Sequence, residues 1–142
     1  MRLTALALIA ASPAAAWEFS DRPVCTLSHD TTEVAVAVTF DPAIAEYAIT
    51  LTLAEGVWPS APVFAIAFEG GWPIMIQTDR HELSDGGRTL RVRDSGFGNV
   101  LDGIGRNTLA TAILPGREVV LPLAGAGGPL AEFRDCPQPA LS

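Results

Sequence analysis

Asp79, His81, Glu82 and Asp85 form the densest cluster of residues that could carry out chemistry. A histidine among carboxylates could serve as a general base or as a metal ligand. The zincin pattern H-E-x-x-H would need a second histidine where Asp85 stands. On a β-strand, His81 and Glu82 would point to opposite faces and could not bind one ion together. The sequence favours a hydrogen-bonded, half-buried His81 and predicts no metal and no cofactor; a hydrolase or metal-dependent enzyme centred on Asp79, His81 and Asp85 is the alternative.

Two other motifs resemble catalytic or nucleotide sites only in part. His29 and Asp30 could be combined with a serine into a triad, but the chain has no G-x-S-x-G nucleophile elbow. Gly96-Phe97-Gly98 is rich in glycine like a phosphate-binding loop, yet the chain has no lysine for a Walker motif. These segments predict an ordinary turn and a tight loop.

Four arginines, Arg80, Arg88, Arg91 and Arg93, make a local positive patch on an acidic chain. The default interpretation is a solvated hairpin face, paired in part by Glu82. Because guanidinium groups bind carboxylates with two parallel hydrogen bonds, a site for a carboxylate or an anionic glycan is the sharper hypothesis.

Two Trp-Pro dipeptides begin at Trp58 and Trp72. Tryptophan in a loop often binds a partner, and it equally often covers the end of a sandwich. Both residues are therefore candidate binding residues, together with His81 and the four arginines.

The glycine pair Gly86-Gly87 lies between two segments of alternating polarity and predicts a tight hairpin. A two-residue loop pairs Leu83 with Leu90 and Glu82 with Arg91, which keeps the apolar side chains on one face. His81 and Val92 would share that inward face. In one continuous strand, Ile74 and Ile76 would point to the face opposite that of Leu83. We therefore expect a break near Thr78-Asp79.

The N-terminus has the features of a secretory signal peptide. Arg2 is followed by an apolar run from Leu3 to Ala11, and Ala14-Ala15-Ala16 forms an A-x-A cleavage site before Trp17. The run has about half of the roughly 20 residues that a membrane-spanning helix needs. We expect cleavage near Ala16, no membrane span in the mature chain, and a periplasmic or secreted location.

Cys25 and Cys136 lie near the two ends of the expected mature chain. In an oxidising compartment they can form a single intramolecular disulfide. A redox-active pair would usually show C-x-x-C spacing, which is missing here. The sequence predicts a structural bridge.

The composition indicates an ordered domain and disfavours nucleic acid as a partner. Hydrophobic residues make up 49% of the chain and charged residues 18%, and the net charge is −7. Loss of Arg2 with the signal peptide takes it to −8 (−7 − 1). An acidic surface repels phosphate backbones.

The rest of the chain reads as short strands. Residues 34–40 and 47–53 alternate strictly, residues 109–114 and 118–123 form a last hairpin, and residues 129–133 suggest a short helix that leads to Cys136. Ser95 is a candidate cap for one helical turn with Phe97, Val100, Leu101 and Ile104 inward. We predict a mainly β fold: one antiparallel β-sandwich or barrel-like domain of seven to nine short strands, with one or two short helical turns. Its boundaries are a signal peptide at 1–16, the domain at 17–136 and a flexible tail at 137–142.

The chain resembles a set of small exported alphaproteobacterial proteins of unknown function over nearly its whole mature length. The likeness is carried by WEF at 17–19, VC at 24–25, PVFA at 62–65, TDRHELSDGGRTL at 78–90 and GFGNVLDGI at 96–104. Some members carry the label of an excinuclease ABC component, a large P-loop ATPase whose lysine this chain lacks. The sandwich pattern is also similar to invasion-associated locus B proteins, which have a second cysteine pair. The resemblance implies an exported β-protein and supplies no catalytic residues.

Two functional hypotheses follow from the sequence. The first is a non-enzymatic periplasmic protein that binds a protein partner or an envelope component through the Arg80–Arg93 hairpin and the tryptophan loops. The second is the small enzyme centred on His81.

Overall fold

The computed structural model of the protein describes residues 16–136, and within them the chain forms ten strands in two antiparallel sheets together with two helices. The mainly β sandwich architecture predicted from the sequence is confirmed. The predicted signal peptide, apart from Ala16, and the predicted tail at 137–142 lie outside the described residues.

The larger sheet has six strands. Their bounds, in the order in which the strands lie side by side, are β1 Glu18–Ser20, β2 Cys25–Asp30, β3 Val34–Asp41, β4 Glu46–Leu53, β8 Thr89–Asp94 and β7 Glu82–Ser84. The strands β3 and β4 have the strict alternation of large apolar residues with alanine or threonine that predicted them, because one face packs inward and the other does not.

The smaller sheet has four strands, and two nine-residue helices complete the fold. The strands are β10 Arg117–Pro122, β9 Leu109–Leu114, β5 Phe64–Glu69 and β6 Ile74–Thr78, and the helices are α1 Gly98–Arg106 and α2 Gly127–Asp135. The last hairpin, β9–β10, and the short helix before Cys136 were both predicted from the sequence.

The hairpin between β7 and β8 has the predicted register. Leu83 pairs with Leu90 and Glu82 with Arg91. Gly86 and Gly87 both have positive φ, at 64° and 92°, and the N–H of Arg88 donates to the carbonyl of Asp85 at 3.2 Å. Asp85 also has positive φ, at 54°, and Asp85–Gly87 forms a short 3-10 turn, so the predicted register is present but four residues, 85–88, connect the two strands.

The predicted break after Thr78 is present, and it carries the chain from one sheet to the other. Strand β6 ends at Thr78 in the smaller sheet, and β7 begins at Glu82 in the larger one. The change in parity between Ile76 and Leu83 therefore marks a crossing between the two layers.

The core lies between the sheets. A row of paired residues crosses the larger sheet from Leu27 through Val38 and Ile49 to Val92, and all four are buried. They belong to one buried cluster with the inward side chains of the smaller sheet and of both helices. Burial of apolar surface on this scale is the main stabilising contribution to the fold.

The predicted disulfide is present. The sulfur atoms of Cys25 and Cys136 are bonded, and they join β2 to the residue after α2 across 111 positions of sequence. Helix α2 packs against β1, β2 and α1. The bridge thus ties the beginning of the domain to its end.

Helix α1 and strand β1 differ from the sequence prediction. The helix is longer than one turn, and its N-cap is Phe97, which makes no side-chain cap, so Ser95 does not cap it. The predicted inward residues Phe97, Val100, Leu101 and Ile104 are all buried. Strand β1 was not predicted and brings the total within residues 16–136 to ten, one more than the upper expectation.

Gly103 lies where α1 packs closely against Phe68, and its replacement tests this packing. An added Cβ would lie 2.6 Å from ring atoms of Phe68, a residue that is itself buried. Alanine normally stabilises a helix by about 1 kcal/mol relative to glycine, but overpacking of this kind costs about 1 to 3 kcal/mol. We expect the net effect of Gly103→Ala to be a loss of up to about 2 kcal/mol in the free energy of unfolding, measured by urea denaturation.

The matched control is Gly98→Ala in the same helix, where an added Cβ meets nothing within 4 Å. That variant should be as stable as the wild type or more stable. Equal effects of the two substitutions would contradict the close packing of α1 on Phe68.

Candidate functional site

His81 lies in the segment that joins the two sheets, and its ring is half-buried. Its Nε2 is 2.9 Å from the carbonyl oxygen of Ala61, and its ring centroid is 6.1 Å from that of Phe64. Because a carbonyl oxygen only accepts, Nε2 must carry the proton and donate it. Nδ1 is buried and has no hydrogen-bond partner within residues 16–136. This contact fixes the loop that contains Ala61 onto the segment before β7, and it leaves neither ring nitrogen facing a substrate.

Asp79, His81 and Glu82 line one shallow surface depression, together with Arg80 and Arg93. Glu82 forms an ion pair with Arg93, and Asp85 lies in the hairpin turn. Within the part of the chain that the structure describes, no group of three or more His, Cys, Asp or Glu residues could hold a metal ion. The enzyme hypothesis stays a prediction.

His29 makes a packing contact instead of joining a triad. Its ring stacks on the indole of Trp17, with 5.1 Å between the ring centroids. The indole Nε1–H of Trp17 donates to the carbonyl of Pro122 at 3.0 Å. The pair holds the start of the domain against β10.

The four arginines of the hairpin region have different environments. Arg80 forms an ion pair with Asp94, and Arg93 donates to Glu82 at 2.8 Å. Arg88 is exposed, and its Nη2 donates to the backbone carbonyl of Leu53 at 3.2 Å. Arg91 is exposed on the outer face of the larger sheet. Two of the four positive charges are therefore paired with carboxylates, and the carboxylate-binding hypothesis stays a prediction.

Two side chains at the end of β8 have shifted pKa values. The hydrogen bond and the charge of Glu82 raise the pKa of Arg93. The pKa of Asp94 is lowered, first by the backbone N–H of Ser95, which donates at 2.7 Å, and then by the charge of Arg80. Asp94 consequently stabilises the fold above the pKa that it has in the unfolded chain, and this contribution is lost as the pH falls through its folded pKa.

The two tryptophans of the Trp-Pro dipeptides differ. Trp58 is only 2% exposed, its Nε1–H donates to the carbonyl of Leu51 at 3.1 Å, and its backbone N–H donates to Gly87 at 2.7 Å. It is a core residue and is not available as a surface binding residue. Trp72 is 47% exposed, with the guanidinium carbon of Arg106 4.8 Å from its ring centroid. Of the two candidates, only Trp72 can meet a partner.

A cleft of about 430 Å³ opens between the two sheets, and no single segment of the sequence predicted it. Both sheets and the start of α1 contribute apolar walls: Ile49, Phe64, Ile66, Ile76, Val92, Phe97 and Val100. Strand β8 of the larger sheet lies opposite β6 of the smaller one across it. The volume falls in the range of small-ligand pockets in proteins, which are mostly apolar with a few polar groups.

The polar groups of the cleft lie at its mouth. Gln77, Thr78 and Asn99 line the rim together with the ion-paired Arg80 and Asp94. One positive and one negative charge cancel there, so the mouth has no net charge. An occupant with an apolar body and a neutral polar part fits this distribution.

Arg80 is the one sequence-predicted site residue that lines the cleft. His81, Arg88, Arg91, Arg93, Trp58 and Trp72 do not line it. The lining residues come from segments up to 51 positions apart (Ile49 and Val100), and in the sequence the apolar ones have the pattern of ordinary core residues. The only local feature of the sequence near the cleft was the change, around Thr78, in which alternate residues are apolar.

Neither helix within residues 16–136 combines the length and the apolar character needed to cross a bilayer.

Comparison of the chain with protein-family models, with curated proteins and with solved structures finds no significant match. The resemblance to exported alphaproteobacterial proteins therefore stays a prediction.

Proposed function

We propose that the protein is an exported, non-enzymatic binding protein whose inter-sheet cleft holds an apolar group of a protein partner or an envelope component. The observation that carries the proposal is the cleft itself, with apolar walls from both sheets and a neutral polar mouth. The apolar atoms that line this open cleft contact water while it is empty, so an occupant that covers them is favoured by the hydrophobic effect.

The proposed export is supported by two features. The sequence begins with a positive residue, an apolar run and an A-x-A site. The disulfide between Cys25 and Cys136 suits an oxidising compartment, where such bonds persist.

The mature N-terminus tests export directly. We expect the protein recovered from the periplasmic fraction of a bacterial host to begin at Trp17, as read by mass spectrometry of its N-terminal peptide. An intact N-terminus at Met1, in protein recovered only from the cytoplasmic fraction, would contradict export.

Binding in the cleft is tested with phenylnaphthylamine, an apolar dye that fluoresces when it leaves water. We expect saturable binding to the mature protein. Val92 lines the cleft, so Val92→Phe should fill it and weaken binding at least about tenfold, or about 1.4 kcal/mol.

Met75→Phe is the matched control. Met75 lies on the wall strand β6 but is 58% exposed on its outer side, so this variant should bind the dye as the wild type does. Equal loss in both variants, or dye binding that Val92→Phe leaves unchanged, would reject the cleft as the binding site.

A further inference from the structure

The edges of the two sheets are protected unequally. Strands β1 and β7 are only three residues long, and β10 begins with Arg117-Glu118 and ends at Pro122. Short length, charge and proline are the usual means by which proteins keep sheet edges from pairing with other chains. Strand β6 has five residues, IMIQT, with neither a charge nor a proline. Of the four sheet edges within residues 16–136, it is the one whose own residues carry no such protection, although α1 contacts part of the strand.

The cleft runs along this unprotected edge. Ile76, Gln77 and Thr78 are consecutive residues of β6, and all three line the cleft. Side chains of consecutive strand residues point to opposite faces of a sheet. Three in a row can line one cleft only where the cleft passes along the edge of the strand, so backbone polar groups of β6 border its apolar interior.

The smaller sheet ends at β6, whereas the larger sheet continues further in the same direction, which leaves room for another strand beside β6. Ile49 and Val92 of the larger sheet line the same cleft as Ile66 and Ile76 of the smaller sheet, and β7 lies one strand further out than β8. The loop around Ala61 covers one part of this extension through its contact with His81. The start of α1 covers another part. Between the Ala61 loop and the start of α1, a gap remains where a fifth strand of the smaller sheet would lie.

We propose that the cleft receives an extended polypeptide segment of a partner protein, which pairs with β6 as a fifth strand and places an apolar side chain between Ile76 and Val92. This inference rests on the proposed function and names the class of ligand. Strand addition of this kind draws affinity from main-chain hydrogen bonds and specificity from a pocket for alternate side chains. The stretch beside residues 76–78 accommodates about three residues, at about 3.3 Å each.

A single segment fits this place better than a second copy of the chain. Suppose that β6 paired with β6 of a second copy. The larger sheet of each copy would then extend past its own β6 toward the other copy, and the two β7 strands would clash. The net neutrality of the Arg80–Asp94 mouth also suits a main chain, whose peptide groups carry no net charge.

The experiment selects peptides from a displayed random heptapeptide library on the mature protein, with counter-selection on Val92→Phe. Selected peptides are then synthesised, and their affinities are measured by calorimetry with each peptide nitrogen methylated in turn. In an antiparallel pair every second N–H of the added strand bonds to its neighbour. We expect methylation at alternate positions to weaken binding at least about tenfold and methylation between them to have little effect.

Amide signals of Ile76, Gln77 and Thr78 should shift when the peptide binds, and Met75→Phe should bind it as the wild type does. If Val92→Phe does not fold, Gly98→Leu replaces it, because Gly98 lines the cleft and an added Cβ there meets nothing within 4 Å. An absence of selected peptides, or affinities without an alternating response to methylation, would overturn the inference. Dye binding that Val92→Phe abolishes, combined with either of those results, would leave the proposed function standing and assign the cleft to a small apolar ligand.

Discussion

Reduction of the bond between Cys25 and Cys136 is expected to lower the free energy of unfolding by about 4 to 5 kcal/mol. The bridge closes a loop of 111 positions, and the unfolded chain gains most conformational freedom when so long a loop is opened. Domains of this size are stable by about 5 to 15 kcal/mol in total. The loss is therefore a large fraction of the total stability, and urea denaturation with and without reductant measures it.

The control is the double variant Cys25→Ala, Cys136→Ala. Alanine is preferred to serine because Cys25 is buried in the core, where a hydroxyl would need a partner. This variant should match the reduced wild type and should not respond to reductant. A loss below about 1 kcal/mol on reduction would mean that the chain ends are held by packing of α2 alone.

Replacement of Trp58 by alanine is expected to lower the free energy of unfolding by about 3 to 5 kcal/mol. The indole is buried, and it donates to the carbonyl of Leu51 while the backbone of the same residue donates to Gly87. One residue thus holds the loop before β5 against both β4 and the β7–β8 hairpin. Thermal and urea denaturation of Trp58→Ala measure the effect.

Trp72→Ala is the matched control, since Trp72 also precedes a proline but is about half exposed. Its contact with Arg106 is expected to contribute about 1 kcal/mol or less. Similar losses in the two variants would contradict the assignment of Trp58 to the core and Trp72 to the surface.

The sequence predicted those parts of the fold whose determinants are local. Gly86-Gly87 fixed the hairpin register, because only one loop length keeps Leu83 opposite Leu90. Strict alternation identified β3 and β4, and the inward residues of α1 followed from their helical spacing. The disulfide followed from there being two cysteines in a chain expected to be exported.

Other features depend on contacts that are distant in the sequence. Trp58 resembles a loop residue in the sequence, and it becomes a core residue only because Leu51 and the hairpin close over it. Strand β1 is three residues long, too short to show a period, and it exists because β2 pairs with it. The parity change after Ile76 was visible, but a single sequence cannot tell a bulge within one sheet from a crossing between two.

The candidate site was missed for the same reason. Its apolar lining residues are indistinguishable in the sequence from those of a closed core, because the cleft exists only where the smaller sheet ends at β6 while the larger sheet continues to β7. Among the titratable candidates, His81 has a structural contact: it binds the carbonyl oxygen of Ala61 in the loop before β5. The residue types that can take part in catalysis therefore pointed to the connection between the two sheets, which lies next to the cleft, and not to the cleft itself.

The central claim, that the inter-sheet cleft holds an apolar group, is tested most directly by NMR of the mature protein with bound phenylnaphthylamine. We predict nuclear Overhauser effects between the ring protons of the dye and the methyl groups of Ile66, Ile76, Val92 and Val100, all of which line the cleft. Effects confined to the exposed methyl groups of Leu109 and Val120, outside the cleft on β9 and β10, would contradict the claim.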